Sequence, residues 1–309
     1  MDINSKIFIA GGSGMVGSAI IRKLKSLGYL NLISPRSSEL NLLNQSDVNN
    51  FFSENLPEYV FLAAAKVGGI KANNLYKADF IYDNIMIQSN VIKHSHIYNV
   101  KKLIFLGSSC IYPKMSDQPI KEEYLLSGYL EPTNDAYAIA KISGIKMCQS
   151  FNQQYGSNFV SLMPCNIYGI NDNYHPDNSH VFASIIRKLH EAKVSGAGKI
   201  ILWGDGSPQR EFLNSDDLAD ACYFSMVNNV PDIINIGSGI DFSIRVLSEY
   251  MRDIIHPHCE IVFNGDIDIN GTPKKLLDVS LIKSLGWEHT TDIKDGIRIS
   301  YSDFLKKFG

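Results

Sequence analysis

Cysteine is scarce in this chain. The five residues Cys110, Cys148, Cys165, Cys222 and Cys259 are odd in number, widely spaced and free of any Cys-x-x-Cys pair, which argues against both a disulfide framework and a zinc site. An excess of one charge is also missing: 29 Lys and Arg face 32 Asp and Glu, for a net charge of −3. No Lys/Arg stripe carries interleaved aromatics, so a nucleic-acid partner is not expected. No stretch approaches the roughly 18 apolar residues of a membrane span, and no signal-peptide pattern precedes the first strand, so the expected location is the cytoplasm with no membrane contact. Repeats, low-complexity tracts and Pro/Ser linkers are absent. The pair His256-Pro-His258 reads as a surface turn rather than a metal ligand. What remains is 309 residues with 45% hydrophobic content, enough to bury a core as one large domain or two unequal ones.

The chain opens with Lys6-Ile-Phe-Ile-Ala10, a short apolar strand. Gly11-Gly-Ser-Gly14-Met-Val-Gly17 follows, then Ser18 to Leu27 with apolar positions at helical spacing. In that order, Gly11 and Gly14 let the backbone turn tightly against a pyrophosphate, Gly17 lets the helix pack close to the strand, and the helix N-terminus receives the phosphate charge. The second strand, Leu30-Asn-Leu-Ile-Ser34, ends in Ser34-Pro35-Arg36. An acidic residue there would bind a ribose 2′-hydroxyl and an Arg a 2′-phosphate, so NADPH is favoured over NADH.

Strands and helices alternate from there. Tyr59 to Ala65 reads as a buried strand, followed by a Gly68-Gly69 loop and one long helix to about Val100. Lys102 to Gly107 is a further strand ending at Ser108-Ser109-Cys110, where an open parallel sheet places its ligand crevice. Next comes Asn134-Asp-Ala-Tyr-Ala-Ile-Ala-Lys141. Tyr137 and Lys141, four apart on a helix, share one face; the ammonium is expected to pull the phenol pKa down from about 10 toward the working pH of a general acid. Alone, such a pair is as often a solvated helix face. The strand Phe159 to Met163 then ends at Pro164-Cys-Asn-Ile-Tyr168-Gly169. Beyond about residue 170 loops rich in Asn, Asp, His, Pro and Gly alternate with shorter elements. The expectation is a Rossmann-type, doubly wound parallel α/β fold over residues 1–169, with 170–309 mainly a smaller substrate-binding α/β lobe, some of whose segments can return to the Rossmann core.

Glycine fingerprint, strand-end serine and Tyr-x-x-x-Lys together resemble the extended short-chain dehydrogenase/reductase family of nucleotide-sugar enzymes. Within it the likeness is closest to the GDP-sugar branch, and it runs through Ala63-Ala-Ala-Lys-Val-Gly-Gly-Ile70, Phe105-Leu-Gly-Ser-Ser-Cys-Ile-Tyr-Pro-Lys114, Glu131-Pro-Thr-Asn134, Asn173-Tyr-His-Pro-Asp-Asn-Ser-His180 and Arg210-Glu-Phe-Leu213. It covers essentially the whole chain. The resemblance implies NADPH-dependent reduction at C4 of a GDP-linked 4-keto-6-deoxy sugar, with epimerisation at C3 and C5, by a homodimer. It implies Tyr137 as the acid, Ser108 as hydrogen-bond donor to the carbonyl, Lys141 as support for both tyrosine and cofactor, and Cys110 with His180 as the epimerising pair. Cofactor contacts implied are Gly11, Gly14, Met15, Val16, Gly17, Arg36, Asn41, Ala64, Leu106, Tyr137, Lys141, Pro164, Asn166, Ile167 and His180. Substrate contacts implied are Ser109, Cys110, Asn166, Lys188, Trp203, Arg210 and Asn270.

Two departures stand out: Asn270-Gly-Thr-Pro273 replaces the family's Asp-Gly-Thr-Pro, and Asn214-Ser215 replaces His-Val after the Arg-Glu-Phe-Leu run. The arginine near the second strand is also displaced from its usual place. A related enzyme that only reduces C4, for example of a GDP-6-deoxy-4-keto-heptose, is the alternative. A nucleotide-binding regulatory protein on the same fold is a third reading, and the joint presence of Ser108, Tyr137 and Lys141 weighs against it.

Overall fold

The computed structural model describes residues 1–309 apart from 177 and 267–270. In chain order the first half is β1 (Ile7–Ala10), α1 (Met15–Ser26), β2 (Leu32–Ile33), α2 (Gln45–Asn55), β3 (Tyr59–Leu62), α3 (Ile70–Leu75), α4 (Lys77–Ile97), β4 (Lys102–Leu106), α5 (Asp135–Tyr155), β5 (Phe159–Pro164) and β6 (Asn166–Tyr168). The second half is α6 (Val181–Ser195), β7 (Lys199–Leu202), β8 (Gln209–Asn214), α7 (Ser215–Val227), β9 (Ile233–Ile236), β10 (Asp241–Ser243), α8 (Ile244–Ile255), β11 (Glu260–Phe263), β12 (Lys274–Lys275), α9 (Ser280–Ser284) and α10 (Ile293–Phe308).

Six strands form the central sheet in the order β2-β1-β3-β4-β5-β9, every pair parallel. Strands β1, β4 and β5 are buried at every position, as a sheet covered on both faces requires. Helices α1 and α7 pack together on one face, and α2, α4 and α5 form a row on the other. The direction of travel reverses between β1 and β3, so the crevice for a ligand opens at their carboxyl ends.

A second hydrophobic cluster, built from Tyr168, Phe182, Ile186, Leu189, Phe212, Leu247, Met251, Ile297 and Phe304 among others, is packed by α6, α8 and α10. Its strands are the parallel pair β7–β11 and a small sheet in which β8 is flanked by β10, β12 and β6. The chain does not part cleanly at residue 169: β9 pairs with β5 as the sixth central strand, and Leu218, Ala221, Cys222, Ile234 and Ile236 belong to the first core.

The long helix expected after Gly69 is two helices. They meet at Tyr76, whose φ of −111° and ψ of 39° take it out of the helical region. The second strand shrinks to Leu32–Ile33, because the residues on either side leave the ladder with β1.

Candidate active site

One cleft of about 1640 Å³ runs from the glycine loop to the second cluster. It exceeds the few hundred to 1,000 Å³ that hold a typical single small ligand, and suits a dinucleotide together with a nucleotide sugar.

At one end the β1–α1 turn is made of residues that permit close approach. Gly11 has φ +86°, a conformation side chains rarely adopt, and a Cβ on Gly17 would stand 2.1 Å from the Gly11 carbonyl oxygen. Gly14 caps α1 without any side-chain hydrogen bond. The first N–H groups of the helix therefore keep their donors for an anion. Gly11, Gly14, Met15, Val16, Gly17, Asn41, Ala64, Leu106, Pro164, Asn166, Ile167 and His180 all line the cleft. This glycine-lined cradle with free N–H groups fits the pyrophosphate of NADPH. Arg36 differs: Pro35 and Ser37 line the cleft, whereas the Arg36 side chain lies exposed outside the lining, its residue engaged through its backbone N–H with Glu39 Oε2 at 2.7 Å.

At the centre, Ser108 sits at the end of β4, Tyr137 and Lys141 on α5. Lys141 is buried to 3% exposure and donates to the Leu106 carbonyl at 2.7 Å, its Nζ 5.7 Å from the Tyr137 ring centre and 4.9 Å from that of Phe105. A backbone carbonyl at the end of a buried strand thus fixes the ammonium at the crevice. Phe80 of α4 meets Tyr137 edge-on at 6.4 Å and holds the ring from behind.

The expected downward pull on the phenol is not what the cleft shows. Burial dominates: it pushes Tyr137 above its ordinary value, the facing Cys110 adds to that, and it draws Lys141 down to about 8. The lysine is itself desolvated and directs a proton to Leu106, so little of its field is left to stabilise a tyrosinate.

Ser109 and Cys110 correct the sequence reading in another way. They occupy a short 3-10 turn, Ser109–Ile111, capped by the Ser108 hydroxyl, which accepts from Cys110 N at 3.3 Å. The turn directs them inward, so both are buried at 4% and 7% exposure and neither lines the cleft. Burial raises the Cys110 thiol, with Lys275, Ser108 and Lys141 pulling it back. His180, the residue before α6, lines the cleft; it keeps exposed surface, yet desolvation by its surroundings holds the imidazole below the ordinary value.

At the far end, Lys188 on α6 lies 5.8 Å from the Trp203 ring centre and donates to the Ile201 carbonyl at 2.8 Å. Trp203 is 64% exposed, so its indole is a wall of the cleft and not part of the core. Arg210 on β8 also lines the cleft, and burial lowers it to about 10. Two cations beside an open aromatic face are a chemistry for a nucleoside diphosphate. Asn270 lies outside the described residues.

Some polar residues escaped the sequence reading. Lys114 and Glu131 both line the wall and are joined at 2.8 Å. Glu211 lies behind the cleft, fully buried on β8 between Arg210 and Phe212 of the lining; it accepts from Gly239 N at 2.7 Å and Leu277 N at 2.9 Å, and burial raises it to about 7. Its only signal in sequence was its place beside Arg210.

Residues 7–237 match the NAD dependent epimerase/dehydratase family. GDP-L-fucose synthase 1 of Arabidopsis thaliana is 51% identical over 99% of this chain and 94% of its own length, and GDP-L-fucose synthase of Escherichia coli K12 is 48% identical over 97% of each. Among solved structures, the GDP-mannoheptose C4 reductase of Campylobacter jejuni, determined with NADP bound, superposes with a TM-score of 0.91 at 41% identity over 99% of both chains. With that extent of likeness, and with the glycine cradle and the Ser, Tyr and Lys of the cleft all in place, the chain is a member of the NAD dependent epimerase/dehydratase family, in its extended short-chain dehydrogenase/reductase branch of GDP-sugar enzymes.

Proposed function

We propose that the protein reduces C4 of a GDP-linked 4-keto-6-deoxy sugar with NADPH and inverts C3 and C5 beforehand. The observation that carries this reading is the convergence in one cleft of the glycine cradle, the Ser108–Tyr137–Lys141 centre and the Lys188–Trp203–Arg210 wall. Bound in the cradle, NADPH supplies the hydride for C4. Ser108 donates a hydrogen bond to the ketone oxygen, and Tyr137 gives that oxygen its proton as the alkoxide forms. A phenol held above its ordinary pKa stays protonated, which suits an acid. Lys141 fixes the geometry from behind. Lys188 and Arg210 hold the diphosphate, and Trp203 offers its face to the ligand. The C3 and C5 hydrogens both flank the ketone and are acidic, so Cys110 and His180 can exchange them before reduction.

A C4 reductase without epimerisation, acting on a GDP-6-deoxy-4-keto-heptose, is the second reading. Cys110 favours it, since the residue is buried at 7% exposure and is not among those that line the cleft. Isotope exchange separates the two. Protein held with the 4-keto substrate in D₂O, without reduced cofactor, should introduce deuterium at C3 and C5, and Cys110→Ser should suppress that exchange. A protein that reduces C4 but exchanges neither hydrogen is the reductase alone.

The enzyme on this reading is a cytoplasmic homodimer. Support comes from α4 and α5, which leave Tyr82, Ile97, Ile139 and Tyr155 exposed, and no described helix is long and apolar enough to cross a membrane. Sedimentation at micromolar concentration should give twice the chain mass; a monomer refutes the dimer.

A further inference from the structure

Helix α5, which carries Tyr137 and Lys141, is tied to β4 where Lys141 donates to the Leu106 carbonyl. A second tie reaches the same helix from α4. Phe80 and Gln88, two turns apart on α4 and both buried, face α5. Phe80 meets the Tyr137 ring edge-on. Gln88 Nε2 donates to the Ala140 carbonyl at 2.5 Å and to Ser143 Oγ at 2.9 Å, and Ser143 Oγ donates in turn to that carbonyl at 2.7 Å. A carbonyl can only accept, which fixes the orientation of the amide. Room for it comes from Gly144: a Cβ there would stand 2.8 Å from Gln88 Cδ and Oε1 and 2.6 Å from the Phe105 ring. Lys141 Nζ lies 4.9 Å from the centre of that ring, so α4, β4 and the catalytic helix meet at this point.

Neither helix formation nor core packing asks for an amide here. Within α5 the Ala140 carbonyl already has the N–H four residues on as its helical partner, and an apolar side chain of similar size would fill the same space. Gln88 is 2% exposed, and its Oε1 has no hydrogen-bond partner among the described residues. That is a cost an apolar residue would not carry. What the amide adds is direction: apolar contact between two helices is non-directional, whereas a hydrogen bond selects one carbonyl. Ala140 stands three residues after Tyr137 and one before Lys141. Its height along α4 therefore sets where the phenol stands against Ser108 at the end of β4.

We propose that Gln88 is a positioning residue for the reduction: by holding the Ala140 carbonyl it sets the height of α5 against α4, and with it the place of the Tyr137 hydroxyl at the sugar ketone. The inference rests on the C4 reduction of the proposed function. Gln88 is not among the residues that line the cleft, so it acts through the helix alone. Tyr137 can pass its proton only while its oxygen is within about 2.6–3.2 Å of the ketone oxygen. A small displacement of α5 along its axis lengthens that approach and slows turnover, while the cradle and the walls that bind cofactor and sugar nucleotide stay as they are.

Gln88→Met keeps the length and bulk of the side chain and removes the donor. With NADPH and GDP-4-keto-6-deoxymannose, its kcat should be lower by about tenfold or more. KM for the sugar nucleotide and Kd for NADPH should stay within about twofold of wild type, and Tm should not fall, since the unpartnered Oε1 is gone. A role in packing alone predicts the reverse, a lower Tm with kcat kept. Wild-type kcat in Gln88→Met overturns the proposal, as does a loss of kcat matched by equal losses in both binding constants. If Gln88→Met fails to fold, Gln88→Leu carries the same comparison. Hydrogen exchange of the α5 amides from Ala138 to Gly144, read by mass spectrometry without any sugar present, should be several-fold faster in the variant, because the tie no longer holds the helix. That measurement keeps the two ideas apart: a wild type that oxidises no NADPH with a GDP-linked 4-keto sugar refutes the reduction, while equal exchange in both proteins refutes the part given to Gln88.

Discussion

Tyr137 and Lys141 were legible in the sequence because a spacing of four on a helix is enough to put two side chains on one face. Their protonation was not legible, because it depends on how deeply the fold buries them and on which carbonyl the lysine finds. The functional consequence of Tyr137 is direct: Tyr137→Phe keeps the ring packed against Phe80 and should leave NADPH affinity near normal while lowering turnover by about 10²–10⁴. Near-normal turnover would remove Tyr137 from the role of acid. Lys141 makes a stability prediction whose sign follows from its depressed pKa, about 8 in the fold against 10.5 when unfolded. Between those values the unfolded chain holds the extra proton, so this group makes the fold more stable as pH rises from about 8 to 10.5; below about 8 its burial penalty is present in full. The shift corresponds to about 3 kcal/mol at most, partly offset by the Leu106 hydrogen bond, worth about 1 kcal/mol. Lys141→Met should be inactive, and its Tm relative to wild type should be most favourable near pH 7 and decline toward pH 10. A relative Tm that rises over that interval would show that burial is not the dominant influence on this lysine.

Among the elements, the strand, glycine turn and helix at the start of the chain were the easiest to read, since Gly11 and Gly17 stand where a Cβ would strike backbone. The interruption at Tyr76 could not be read, because no Gly or Pro stands there to mark it. The loop between β6 and α6 carries part of the family likeness in its sequence, but not the link it makes between distant elements. Asn171, at φ 69°, donates from Nδ2 to the Ser13 carbonyl of the glycine loop at 2.9 Å and from its backbone N–H to Asp303 on α10 at 2.9 Å, and its Oδ1 accepts from Lys307 at 3.2 Å. The same loop leads to His180. Asn171→Ala removes the two side-chain bonds while leaving every cleft-lining side chain in place, and should weaken NADPH binding by roughly tenfold, the effect of about 1.4 kcal/mol. Fluorescence titration measures this, and kcat at saturating cofactor should change little. An unchanged affinity would mean the glycine loop holds its shape without the link.

For the whole molecule, the α/β class and a cleft at the strand ends follow from the alternating pattern, whereas the path of the chain does not. Ile233-Ile-Asn-Ile236 lies in the half read as the smaller lobe, and its pairing with β5 is what shows that it completes the first sheet. Helix α7 returns with it and packs on α1, where Asp216 meets Arg22 at 2.5 Å and Asp220 meets Lys23. A chain ending at Gly169 would therefore expose the edge of β5, a strand buried at all of its positions, and the face of α1 that α7 covers. Unpaired edges and uncovered apolar faces of that kind favour aggregation over folding. Residues 1–169 expressed alone should show no cooperative thermal transition and no NADPH-dependent rise in Tm. The intact chain should show both, with about 2.7 kcal/mol of stabilisation when NADPH is at 100 times its Kd. A fragment that melts cooperatively and responds to NADPH would mean that the first five strands fold and bind cofactor without the sixth, and that β9 serves only to tie the second lobe to the first.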